Sequence, residues 1–131
     1  RYYEKWYYRQ IMRLRELCPG AAVLVIGVAD MSVKNGEQFE SYPNLDAVTG
    51  AIKNAAFRAG AAFWDMQKAM GGKNSMPAWV DADPPLATSD YVHFTTRGSA
   101  LIAQMFYSAF LYEYLLYGEA AKKQEPAGVP Q

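Results

Sequence analysis

Asp90 and His93 are the two residues of this sequence whose types and spacing best fit catalytic chemistry. His93 is the only histidine, and Asp90 lies three residues before it, ahead of an apolar segment. A carboxylate that binds one imidazole nitrogen fixes the tautomer and leaves the other nitrogen free as a general base. Because an Asp-x-x-His spacing also arises by chance, the alternative is a structural histidine that caps a helix or hydrogen-bonds locally.

Two further residues are candidates for contacting a substrate. Asp30 follows an apolar run that is typical of a strand, and Trp79 lies beside a proline-rich loop. Asp65 also follows a predicted strand, but carboxylates at the start of helices are usually caps. We predict substrate-binding roles for Asp30 and Trp79, with a cap as the alternative for Asp30.

The sequence does not predict a metal site or a cofactor. Asp81, Asp83 and Asp90 lie in one irregular stretch, but they lack the alternating oxygen ligands and the glycine of an EF-hand calcium loop. The single cysteine excludes an internal disulfide and a zinc site built from several cysteines.

Hydrophobic patterning predicts the elements that must position these residues. In chain order they are a helix over residues 2–17, a buried strand over 21–28, a loop over 29–43, a helix over 44–59 capped by Asn44, and a strand over 61–64. A strand–helix–strand unit pairs its strands in parallel, and binding sites lie beyond the carboxyl ends of such strands. Asp30 and Asp65 both fall on that edge.

The second half of the chain is predicted to be irregular and then helical. Residues 71–95 are rich in glycine, proline and aspartate, and a long apolar helix then begins at Thr95 or Thr96. We expect that helix to be largely buried and to end at Gly118, followed by a polar tail over residues 119–131. Two strands with three major helices leave sheet edges unpaired, so we expect polypeptide outside residues 1–131 to complete the sheet.

Composition limits the possible functions. A chain of 131 residues fits one domain, and a hydrophobic fraction of 51% excludes intrinsic disorder. Thirteen basic and thirteen acidic side chains cancel, which argues against a nucleic-acid-binding surface. No apolar run approaches the roughly 20 residues that span a bilayer.

Several segments resemble the SGNH (GDSL-type) hydrolases. The run Ser-Asp-Tyr-Val-His-Phe-Thr-Thr-Arg-Gly over residues 89–98 resembles the last sequence block of that family, which precedes its final helix. Residues 23–32 and 63–72 are similar to its last two core strands, so the likeness extends from residue 2 to about residue 117. The resemblance implies the C-terminal part of a three-layer α/β/α, flavodoxin-like fold with a parallel sheet. It also implies His93 as general base and Asp90 as its orienting partner.

The sequence departs from the family at the nucleophile. It lacks the Gly-Asp-Ser block and the blocks that supply a glycine and an asparagine to the oxyanion hole. Its serines lie in other contexts, namely Ser32, Ser41, Ser75, Ser89, Ser99 and Ser108. We therefore expect residues 1–118 to be the C-terminal portion of one SGNH domain, whose N-terminal part is the partner that supplies the serine.

The resemblance implies ester hydrolysis through an acyl-enzyme, without a cofactor. Acylated carbohydrate or cell-wall material is the implied substrate class, and a periplasmic or secreted bacterial enzyme is the implied setting. The segment alone is expected to be inactive. The alternatives are a non-catalytic binding domain on a hydrolase-like scaffold and an enzyme assembled from two chains.

Overall fold

The computed structural model describes residues 2–124, including the side-chain surroundings of residues 2–120. This part of the chain forms helices and strands in the order α1 (Tyr2–Leu17), β1 (Leu24–Ile26), β2 (Ser32–Asn35), β3 (Gln38–Ser41), α2 (Leu45–Arg58), β4 (Ala62–Trp64), α3 (Met66–Met70), α4 (Met76–Val80) and α5 (Thr96–Gln124). The predicted tail falls partly on residues 125–131, which lie outside the described residues.

The centre of the fold is a parallel pair of strands. β1 pairs with β4 so that Val25 lies opposite Phe63, and α2 forms the crossover between the two strands. The Gly27 amide donates to the Trp64 carbonyl at 2.8 Å and extends the pairing by one residue. The predicted strand–helix–strand unit with parallel strands is confirmed.

Helices α1 and α2 cover one face of this pair. Their shared core contains Ile11 of α1 and the fully buried Ala55 and Ala56 of α2, and the small alanines let the two helix backbones approach closely. Val25 and Phe63 pack against this core from the sheet. The predicted apolar face of α1 is only partly used, because Leu14 remains 54% exposed.

Helix α5 lies on the opposite face. Side chains alternate along a strand, so Trp64 points away from Phe63 and meets Phe106 of α5, with ring centroids 5.3 Å apart. The first turns of α5 also pack against a second core. That core comprises Met70, Met76, Trp79 and Ala87. The resulting order is helix, sheet, helix.

The structure corrects two expectations about α5. The helix does not end at Gly118 but continues to Gln124, because the following residues favour helix strongly enough to offset one glycine. The helix is also not buried along its length, since Tyr107, Tyr114 and Tyr117 are 63–75% exposed. None of the helices in the described residues is long and apolar enough to span a membrane.

The segments predicted to be irregular contain further structure. Residues 29–43 include the antiparallel hairpin β2–β3, which turns through Gly36 and Glu37 with Gly36 at φ +64°. Its strands are short and mostly polar, so they carry no hydrophobic alternation. Residues 71–95 include the short helix α4, whose second position is Pro77.

The predicted strand over residues 21–28 is shorter and more exposed than expected. Only Leu24–Ile26 is regular strand, and Leu24 and Ile26 are 40% and 48% exposed. Leu24 forms part of the floor of an apolar groove of about 990 Å³ between the sheet and the second half of α5. The sheet face toward α5 is therefore covered over the Trp64 end only.

Candidate functional site

The chain between α4 and α5 folds back on itself to form a tight turn. Ala87 and Phe94 form an antiparallel bridge, and the Thr88 amide donates to the His93 carbonyl at 2.8 Å. These paired residues form the base of the turn and hold residues 89–93 at its tip, immediately before α5. Thr95 then begins that helix as its N-cap, because its hydroxyl oxygen accepts from the Gly98 amide at 3.1 Å.

The turn brings the two predicted catalytic residues into direct contact. His93 Nδ1 lies 2.7 Å from Asp90 Oδ2. The other carboxylate oxygen, Asp90 Oδ1, accepts from the Thr88 hydroxyl at 2.6 Å and from the main-chain amides of Val92 and His93 at 2.9 and 3.0 Å. The carboxylate is therefore fixed by the same turn that carries the imidazole.

These hydrogen bonds favour the charged form of Asp90. They hold the pKa of its carboxyl well below the usual range. The His93 amide makes the largest contribution, followed by the Thr88 hydroxyl, the His93 ring and the Val92 amide. A carboxylate that stays ionised keeps accepting from Nδ1–H, so Nε2 is left as the basic nitrogen.

The basic nitrogen of this pair faces open surface. The side chains of His93 and Asp90 are 75% and 50% exposed. Among the described residues, no serine hydroxyl hydrogen-bonds to the His93 ring. The arrangement can accept a proton at Nε2 from a hydroxyl group that approaches from outside this turn.

Asp30 lies at the end of β1, as predicted, but it is completely buried. Its Oδ1 accepts from the Ser41 hydroxyl at 2.5 Å and from Gln67 Nε2 at 3.3 Å, while Oδ2 accepts from the Met76 amide at 2.9 Å. The carboxylate thus joins β3, α3 and α4 and has no exposed surface for a ligand. This geometry gives Asp30 a positioning role in place of the predicted contact with substrate.

Trp79 is also inside the protein. It is 6% exposed, its Nε1 donates to the Met70 carbonyl at 2.9 Å, and its ring lies 5.4 Å from that of Phe94. The indole therefore packs beneath the turn that carries His93. It supports the turn from the core and does not form the wall of an open pocket.

The third acidic candidate, Asp65, has a structural position. Asp65 is the N-cap of α3, because its Oδ1 accepts from the Lys68 amide at 3.0 Å. Within residues 2–124, no group of three or more histidine, cysteine, aspartate or glutamate side chains is arranged to hold a metal ion.

Several residues of the site region were not found from the sequence. The Asn74 amide donates to Ser41 Oγ at 2.7 Å, and Asn74 Oδ1 accepts from the Ser41 amide at 2.7 Å. Asn74 adopts φ +62°, a conformation that asparagine tolerates better than most residues. The pair Asn35-Gly36 was a turn signal that could have revealed the hairpin to which Ser41 belongs.

Similarity to known proteins is found among solved structures. No protein-family profile matches this chain, and no curated protein matches it. The chain is similar to a solved structure described as a peptidoglycan O-acetylesterase in action at 5 min. The two share 29% identity with a TM-score of 0.75, and the match covers 88% of this chain. The fold is SGNH hydrolase-like.

The SGNH hydrolase-like fold confirms the family resemblance and the α/β class with a parallel sheet. The chain spans about a third of the length of the matched structure, since the match covers 32% of it. In this fold the Asp90–His93 turn lies against the hairpin that follows β1, because the Ser32 amide donates to the Tyr91 carbonyl at 3.0 Å. The pair is therefore on the carboxyl edge of the sheet.

Proposed function

We propose that this chain supplies the acid–base half of a serine ester hydrolase, with His93 as general base and Asp90 as its orienting partner. The observation that carries the proposal is the 2.7 Å contact between His93 Nδ1 and Asp90 Oδ2. It occurs in an SGNH hydrolase-like fold, directly before α5. The exposed Nε2 face is consistent with a hydroxyl nucleophile that comes from another segment.

The chemistry follows from the tautomer that Asp90 selects. A serine hydroxyl that donates to Nε2 loses its proton to the imidazole as its oxygen attacks the ester carbonyl. The imidazolium returns that proton to the departing alcohol, leaving an acyl-enzyme. His93 then takes a proton from water as the water oxygen attacks the acyl group, and it returns that proton to the serine oxygen as the acid leaves. Asp90 stabilises the imidazolium in both steps.

The proposed substrate class is an O-acylated carbohydrate, with acetyl as the acyl group. The support is the similarity to a peptidoglycan O-acetylesterase. Cell-wall carbohydrate lies outside the cytoplasm, so we propose a periplasmic or secreted setting.

We further propose that the nucleophile belongs to the N-terminal part of the same protein, outside residues 1–131. Two features support it besides the absence of a Gly-Asp-Ser block. Within the described residues, β1 and β4 each have one unpaired edge. The groove beside them is lined by Leu24, Phe63, Phe110 and other apolar side chains, which suits additional strands and helices of the same domain.

Acetate release by the complete gene product that contains this chain tests the proposal. O-Acetylated peptidoglycan and 4-nitrophenyl acetate are suitable substrates. We expect His93→Ala to remove nearly all turnover, and Glu119→Ala, an exposed change at the far end of α5, to leave it unchanged. We expect the 131-residue chain alone to be inactive. Undiminished turnover by His93→Ala would contradict the proposal, and binding without turnover in the wild type would favour a non-catalytic domain.

A further inference from the structure

Tyr91 lies between the two proposed catalytic residues in an unusual backbone conformation. Its φ is +61°, in the left-handed region that bulky side chains rarely adopt. The conformation turns the chain so that the next two amides, of Val92 and His93, both point at Asp90 Oδ1. The orientation of the pair thus depends on keeping Tyr91 in this conformation.

The contacts that hold Tyr91 come from a distant part of the sequence. Its ring is stacked on that of Phe39, with centroids 3.6 Å apart and planes inclined by 7°. Its carbonyl accepts from the Ser32 amide at 3.0 Å. Phe39 and Ser32 belong to the two strands of the β2–β3 hairpin. The hairpin therefore contacts both the side chain and the main chain of Tyr91.

The hairpin is itself anchored at its base. The Ser41 hydroxyl donates to the buried Asp30, and the Ser41 main chain and side chain are both bound to Asn74. The Tyr42 amide donates to the Met31 carbonyl at 3.0 Å and closes the hairpin. These bonds fix the hairpin to the end of β1. The hairpin therefore holds Tyr91 in a defined position relative to the sheet.

We infer that the β2–β3 hairpin is a positioning element for the Asp90–His93 pair, and that Phe39 and Tyr91 are its positioning residues. Removing the Phe39 ring frees one side of Tyr91 and lets the turn relax toward ordinary backbone angles. The amides of Val92 and His93 then leave the carboxylate, and Nε2 shifts away from the reacting hydroxyl. The effect on rate rests on the proposed function, whereas the effect on the turn does not.

Variants of the hairpin test this inference. Phe39→Ala removes the stack, Phe39→Leu keeps apolar volume without an aromatic face, and Phe39→Tyr keeps the ring. Val33→Ala is the matched control. Val33 is exposed and pairs with Glu40, one position away from the Lys34–Phe39 pair, so it lies on the opposite face of the hairpin. Two quantities are measured: amide hydrogen exchange of Val92 and His93 by NMR, and kcat and KM of the complete gene product.

We expect Phe39→Ala to accelerate exchange of both amides and to lower kcat by about tenfold to a hundredfold with a smaller change in KM, as for a misplaced catalytic group. Phe39→Tyr should keep the amide exchange rates and kcat near their wild-type values, and Val33→Ala should change neither. Phe39→Leu should give a smaller change in the same direction and serves if Phe39→Ala does not fold. Unchanged exchange and kcat in the folded Phe39 variants would overturn the inference. If His93→Ala retains turnover, the proposed function fails, and the exchange rates still decide the role of the hairpin.

Discussion

The main chain and the side chain of His93 bind the same carboxylate through different oxygens. The His93 amide donates to Asp90 Oδ1 at 3.0 Å, while Nδ1 lies 2.7 Å from Oδ2. This two-point attachment leaves the imidazole little freedom to rotate away from Asp90. It also means that the tautomer and the orientation of the ring are set by one residue.

We expect Asp90→Asn to lower turnover of the complete gene product strongly while leaving the fold intact. The amide oxygen can still accept from the main-chain amides, but the amide nitrogen cannot accept from Nδ1–H, so the ring favours the tautomer that places its proton on Nε2. The corresponding change in a serine protease costs about ten-thousandfold in kcat. Steady-state kinetics and a thermal melt test this. Turnover near wild type, or loss of the folded state, would contradict it.

The Asp90 carboxyl should titrate below its ordinary pKa of 3.8. Because the folded state lowers this pKa, the stability contributed by Asp90 is present above the unfolded-state pKa and is lost as the pH falls through the folded-state value. Thr88→Val removes one hydrogen bond to the charged form and should raise the pKa. A pH titration of the ¹³C NMR shift of the Asp90 carboxyl measures this pKa in the wild-type protein and in Thr88→Val. A midpoint at or above 3.8 in the wild-type protein would show that these bonds do not form.

Asp30→Ala should destabilise the protein by about 3 kcal/mol or more. The substitution leaves the Ser41 hydroxyl and the Met76 main-chain amide without their acceptor, and each buried orphaned donor costs about 1–3 kcal/mol. The Gln67 side-chain amide loses one of its two acceptors and keeps Asp46 Oδ1 at 3.3 Å. Asp65→Ala is the matched control. It removes a helix cap at the end of the neighbouring strand and should cost about 1 kcal/mol. Urea denaturation compares the two, and equal losses would argue against a special role for the buried carboxylate.

Gly98→Ala and Gly118→Ala should have opposite effects, although both glycines lie in α5. A Cβ at Gly98 would collide with the Leu86 carbonyl, whereas a Cβ at Gly118 would meet no atom within 4 Å. We expect Gly98→Ala to cost about 1–3 kcal/mol through overpacking and Gly118→Ala to add up to about 1 kcal/mol of helix stability. Thermal melts of both variants test the difference. If Gly98→Ala left the stability unchanged, the main chain at Leu86 would not be tightly packed against the helix.

The parts of the fold that the sequence predicted are those set by local pattern. Long periodic segments indicated α1 and α2, and the apolar runs around Val25 and Phe63 indicated the two parallel strands. The contact between Asp90 and His93 was also within reach, because three residues of chain and a following helix restrict where the two groups can lie.

The parts that the sequence did not predict depend on residues that are far apart in the chain. The position of Asp30 at a strand end was evident, but its burial requires Gln67 and Met76 to arrive from other segments. The hairpin strands lack apolar alternation and are held in place by contacts at Ser41 and Phe39. Those contacts involve residues far away in the chain, so the local pattern did not predict the strands. Tyr91 shows the same limit, since no local sequence pattern indicates that a tyrosine adopts the left-handed backbone conformation.

The exposed aromatic half of α5 has a consequence for how the isolated chain behaves in solution. Tyr107, Phe110 and Tyr114 are 57–65% exposed, and Phe110 and Tyr114 line an apolar groove. The formal net charge at pH 7 is zero and the sequence pI is about 6.8. Sticky surface without net repulsion between molecules promotes self-association. The second virial coefficient of the 131-residue chain should therefore be lowest near neutral pH and rise as the pH moves away from the pI in either direction.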